Sequence, residues 1–172
     1  KEKVFISHEN RILIKYTLLD AHSETTLQFR PFLAFRNANA LCIENDRINR
    51  HYEQALNGVS FCLYEGYPAL YLYWNKGIEY VKDQERGYDY KEDLYVPGYF
   101  ELPIKKGESI IFSAGVGEIK PRSLSMMYNK EMKLRTYRNS FFNCLKNSAQ
   151  QFYLKKQKDN YLLAGYPWFG VR

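Results

Sequence analysis

The sequence predicts a mainly β fold, an antiparallel β-sandwich followed by a C-terminal helical linker segment. Three observations carry that prediction. Short runs alternating between apolar and polar residues recur from Val4 to Ala114, and a period of two is what a strand with one buried face shows. Turn residues such as Asn57-Gly58, Glu65-Gly66 and Lys106-Gly107 separate these runs, so neighbouring strands are joined by short connections and pair antiparallel. Beyond Pro121 the period changes to steps of three and four, as on one face of a helix. Aromatic residues make up 17% of the chain, with 16 Tyr, and rings pack well on a pleated surface.

Taken in order, residues 4–6 form a first strand and residues 11–19 a second, with Ile12, Ile14, Tyr16 and Leu18 on one side. Residues 20–26 are a polar turn. The clearest alternation covers residues 27–36, where Leu27, Phe29, Pro31, Leu33 and Phe35 share one side. Pro31 cannot donate to a ladder, which places this strand at an edge or puts a bulge there. Residues 37–50 form a long polar excursion. Asn57-Gly58 predicts a tight hairpin, since the favoured turn needs positive φ at both central positions. Strands follow over residues 59–64, 69–74, 78–81, 99–103 and 109–114. Two packed sheets bury such a set. Met127, Leu134, Tyr137, Phe141, Leu145 and Phe152 then mark the apolar stripe of helices over residues 123–137 and 140–156. Ser140 is placed to cap the second.

At 172 residues the chain is large enough to bury about 70% of its unfolded surface without disulfides. No run of 18 apolar residues exists to span a membrane as a helix. Cys42, Cys62 and Cys144 show no paired spacing, which fits reduced thiols in a cytoplasmic protein. His8, His22 and His51 are scattered, so neither a metal nor another cofactor is expected. The net charge of +6 is uneven: residues 1–119 carry −3, and residues 120–158 carry +9 with Glu131 their only acid. A basic helical segment is a solvated face or docks on an acidic neighbour, and nucleic acid is not the expected partner. Two alternative functions are a stand-alone carbohydrate-binding module and a basic helical nucleic-acid-binding domain.

Residues 85–100 fit neither period. They hold the carboxylates Glu85, Asp89, Glu92 and Asp93 and the rings Tyr88, Tyr90, Tyr95, Tyr99 and Phe100. Rings that stack on a sugar and carboxylates that accept from its hydroxyls make a sugar-binding surface. Rings covering a sheet edge would have the same composition.

Three segments stand out: Arg30-Pro31-Phe32-Leu33-Ala34-Phe35-Arg36-Asn37, residues 85–98, and Ala164-Gly165-Tyr166-Pro167-Trp168-Phe169-Gly170. The first two resemble the N-terminal domain, and the third the entry to the catalytic domain, of bacterial and archaeal glycogen debranching enzymes of the amylo-α-1,6-glucosidase type. Asn39 stands near a place where the family often has His, a departure from the family's pattern. The resemblance implies a β-sandwich over residues 1–119, a helical linker over 120–160, and the start of a catalytic (α/α)6 barrel over 161–172. The chain is then expected to be a fragment truncated before that barrel, and to be inactive alone. Its parent would be a glycoside hydrolase acting on α-1,6 branch points of glycogen-like α-glucan.

The implied partners are the downstream barrel and, in the parent, the glucan, with self-association of the fragment. No catalytic residue is assigned to the chain. Contacts with substrate or with the barrel are expected from Arg36, Asn37, Glu85, Arg86, Tyr88, Asp89, Glu92, Asp93, Tyr95, Trp168, Phe169 and Arg172. Arg36 is expected to be held by a carboxylate.

Overall fold

The fold is taken from a computed structural model, which describes residues 1–7, 9–36, 41–75, 79–81, 93–135, 137–150, 152–156 and 158–162. The chain forms two compact units, Lys1–Asn129 and Lys130–Arg172. Among the described residues, nine strands precede the helices: β1 (Glu2–Phe5), β2 (Arg11–Thr17), β3 (Thr25–Phe29), β4 (Tyr52–Ala55), β5 (Gly58–Phe61), β6 (Leu70–Trp74), β7 (Glu79–Val81), β8 (Tyr99–Ile104) and β9 (Ser109–Gly115). All pair antiparallel. They build a six-stranded sheet in the order β1-β2-β9-β6-β5-β4 and a three-stranded sheet in the order β3-β8-β7. The mainly β, antiparallel fold expected from the sequence is present.

Alternation decides what each face meets. On the inner face, Val59 and Phe61 of β5, Trp74 of β6 and Ile110 of β9 pack with Phe100 and Leu102 of β8 into one buried cluster. Rings interlock across it: Phe29 lies 4.4 Å from Phe112, Tyr16 4.6 Å from Phe29, and Trp74 4.8 Å from Phe100, all tilted. This is the sandwich core.

The larger sheet is covered on its outer face too. Helix α1 (Leu124–Lys133) follows a single 3-10 turn at Pro121–Ser123. Its Leu124, Met127 and Tyr128 lie three and four residues apart and so share one face. They pack with Val4, Leu13, Tyr73 and Ile111 in a second cluster. Lys15 Nζ sits 5.2 Å from the centre of the Tyr128 ring. Arg11, also buried on this face, donates from Nη1 to Ser113 Oγ at 2.7 Å, donates from Nη2 to the Gly117 carbonyl, and pairs through Nε with Glu9 at 3.4 Å.

Several expectations are corrected. The strand read over residues 27–36 ends at Phe29, since Pro31 removes a donor. Beyond it, among the described residues, only Leu33 bridges, to Tyr95. The hairpin at residues 55–58 turns on Leu56-Asn57, with Ala55 opposite Gly58, and only Asn57 has positive φ, at 50°.

In the second unit, helix α2 (Phe141–Gln150) starts where expected, and Ser140 Oγ accepts from the Asn143 N–H at 3.2 Å. It ends at Gln150. Residues 153–156, read as its continuation, form β10 (Tyr153–Lys156), paired antiparallel with β11 (Asp159–Leu162). Of the expected apolar stripe, Leu134, Tyr137, Phe141 and Leu145 are exposed. Among the described residues no helix is long and apolar enough to cross a membrane.

Candidate functional site

Three segments distant in sequence meet in the first unit. The first is the chain after β3. Leu33 N–H donates to the Tyr95 carbonyl at 2.9 Å and Tyr95 N–H returns to the Leu33 carbonyl at 3.2 Å. That isolated bridge fixes Leu33 and Phe35 beside Tyr95. The second is the excursion over residues 41–50. Its two asparagines hold its turns, Asn45 Oδ1 accepting from Arg47 N–H at 3.1 Å and Asn49 Oδ1 from His51 N–H at 3.0 Å. Asn49 N–H also donates to the Leu63 carbonyl at 2.8 Å, which ties the excursion to the chain leaving β5. The third is residues 93–96. Asp93 N–H donates to the Cys42 carbonyl at 2.8 Å, and Asp93 Oδ2 accepts from Glu44 N–H at 2.7 Å.

Between them lies a cavity of about 380 Å3. Buried Leu33, Leu63 and Val96 give it an apolar floor, and exposed Glu44, Asn45, Arg50 and Asp93 stand at its mouth. Tyr64 and Tyr95 are half-buried in its wall. Asn45 Nδ2 donates to the Tyr64 hydroxyl oxygen at 3.0 Å, and the Tyr95 hydroxyl donates to the Arg50 carbonyl at 3.4 Å. Burial pushes the Tyr95 phenol up from its ordinary range, against the opposing field of the Arg50 guanidinium. An apolar floor with a few fixed polar groups is the usual make-up of a small-ligand site, and the volume falls at the lower end of the roughly 300–1,000 Å3 such sites span. Among the described residues no group of three or more His, Cys, Asp or Glu is placed to hold a metal ion.

Of the residues expected to make contacts, Asp93 and Tyr95 line this cavity, while Arg36 is half-buried and outside its lining. Asn37, Glu85, Arg86, Tyr88, Asp89, Glu92, Trp168, Phe169 and Arg172 lie outside the described residues. Glu44, Asn45, Arg50 and Tyr64 are lining residues that sequence reasoning did not single out. The available signal was Cys42 and Ile48 within a largely polar excursion, since an apolar residue in a loop can anchor it to a core, as Ile48 does here.

The fold and the cavity define a class: an antiparallel β-sandwich domain whose loops enclose a small, mixed polar and aromatic site. The family described as glycogen debranching enzyme N terminal matches residues 1–111, and the chain belongs to that family. The whole cavity falls within the matched residues. No curated protein and no solved structure matches the chain.

Proposed function

We propose that this chain is the non-catalytic N-terminal domain of a glycogen debranching enzyme whose parent hydrolyses α-1,6-glucosidic branch points, and that it forms part of the wall beside the glucan cleft. Family membership over residues 1–111 is the observation that carries the reading. The cavity supports it, because its rings and carboxylates have the chemistry a sugar surface needs.

Hydrolysis of a glycoside requires a proton donor for the leaving oxygen and a base or nucleophile across the ring. In this reading both come from a separate (α/α)6 barrel. The domains are a sandwich over residues 1–119, a linker over 120–160 and the barrel's first residues over 161–172. The partners are that barrel and a glycogen-like glucan, and the setting is the cytoplasm. In this reading the described end of the 85–100 stretch, residues 93–100, contributes to that wall through Asp93 and Tyr95.

The test compares the full-length parent with this chain on a branched glucan. The parent is expected to release glucose from branch points and the chain to show no turnover. Tyr95→Ala in the parent is expected to lower kcat/KM by about 1–2 kcal/mol. Turnover by the chain alone would overturn the assignment of catalysis to another domain.

A further inference from the structure

We infer that the cavity framed by residues 41–50 and 93–96 is itself a binding subsite for the end of a neutral α-glucan chain, held by this domain's own side chains. The inference rests on the debranching-enzyme reading and makes one cavity of this domain a direct contact with substrate.

Hydrogen-bond capacity left over at the mouth identifies the ligand class. Asn45 is used up locally, with Oδ1 accepting from Arg47 and Nδ2 donating to the Ile43 carbonyl and the Tyr64 hydroxyl oxygen, at 3.0 Å each. It is a positioning residue. The Tyr64 hydroxyl accepts that bond and keeps its own proton to donate. Asp93 spends Oδ2 on Glu44 N–H, and its other oxygen has no hydrogen bond among the described residues. The Arg50 guanidinium likewise has no hydrogen bond or ion pair among them. The mouth thus offers a hydroxyl donor, a charged donor and a charged acceptor, each already oriented or tethered on a short loop.

A ligand that satisfies all three must donate and accept from neighbouring groups, as vicinal sugar hydroxyls do. Its less polar ring face would meet the floor of Leu33, Leu63 and Val96, which are buried. Charge excludes the obvious competitor. Among the described lining residues the carboxylates Glu44 and Asp93 outnumber the guanidinium of Arg50, a balance that disfavours a phosphate or another anion. A floored cavity of about 380 Å3 suits a chain end rather than a long strand laid across the surface.

The experiment titrates the isotope-labelled chain with maltotriose and follows backbone amide shifts, with inorganic phosphate as the comparison. Maltotriose is expected to move the amides of Asn45, Tyr64 and Asp93 with a Kd on the order of millimolar, since the site is open on one side. Phosphate is expected to leave them in place. Tyr64→Phe keeps the ring and removes the donor, and should weaken binding about fivefold. Arg50→Ala removes a charged donor from an exposed side chain, and should weaken it about tenfold.

Unmoved amides, equal shifts with phosphate, or unchanged affinity in both variants would overturn the subsite. A parent that cleaves branch points beside a chain that binds no maltotriose would remove the subsite alone. A chain that binds maltotriose beside a parent inert on branched glucan would keep the subsite and remove the enzyme reading.

Discussion

Gly58 shows how a residue's role differs from what its local motif suggests. Asn-Gly implies a turn that needs a flexible glycine, yet the turn's positive φ falls on Asn57 alone. Gly58 sits directly opposite Tyr73, and a Cβ there would stand 2.3 Å from Tyr73 Cδ1 and 2.5 Å from Cε1. The glycine is needed because a buried ring occupies the space a Cβ would take. Gly58→Ala is expected to destabilise by about 1–3 kcal/mol through forced movement of that ring. Denaturant melts should show Gly58→Ala and Tyr73→Ala to be less than additive, since the double variant removes the clash. Full additivity would show the ring is not the cause.

Tyr73 carries a second expectation at this scale. Burial raises its phenol above the ordinary value of 10.0, outweighing a hydrogen bond with the Ile119 backbone that acts the other way. The folded state therefore holds this proton more tightly than the unfolded chain. Stability from this group is fully present below pH ~10 and is lost as pH rises through the folded value. Thermal melts at increasing alkalinity should fall above pH ~10, and Tyr73→Phe should flatten that fall. Identical slopes in the two proteins would remove Tyr73 from the account.

At the scale of elements, α2 depends on its cap. Ser140 Oγ satisfies the Asn143 N–H, and the first turn contains no acidic residue to complement the helix dipole. Ser140→Ala is expected to cost about 1 kcal/mol of helix stability. Ser140→Asp should restore it, because it can still accept the bond and adds a negative charge at the N-terminus. Helical circular dichroism on heating reads both. Equal melting of the Ala and Asp variants would show that the cap contributes nothing. Helix α1 depends instead on tertiary contact, with Leu124 buried completely against β1, β2, β6 and β9 side chains.

At the scale of the whole molecule, the uncovered apolar surface of the second unit is the outstanding feature. Phe141 is 80% exposed, Phe142 71%, and Tyr153 70%. Adjacent large rings left in water favour association. Sedimentation of the isolated chain is expected to show concentration-dependent self-association, and Phe141→Ser with Phe142→Ser should return it to monomer. A monomer at high concentration in the unmodified chain would show that these rings do not drive contact.

Period-two alternation, turn residues and the Ser140 cap are local signals, and by themselves they determined the antiparallel strands, most of their approximate places along the chain and the start of α2, but not the order of the strands in the sheets. The resemblance at residues 30–37 and 85–98 pointed to the family that matches residues 1–111. Tertiary structure alone decided the rest. Alternation on β2 marks two faces but cannot say what covers each, and the face carrying Leu13, opposite Ile12 and Ile14, is buried by α1. It likewise decided that the alternation of residues 27–36 continues past Phe29 with no ladder except the Leu33–Tyr95 bridge. The cavity shows the same limit most clearly. Its lining joins Leu33, Asn45, Tyr64 and Asp93, and only long-range backbone bonds bring those loops together, an arrangement no local period encodes.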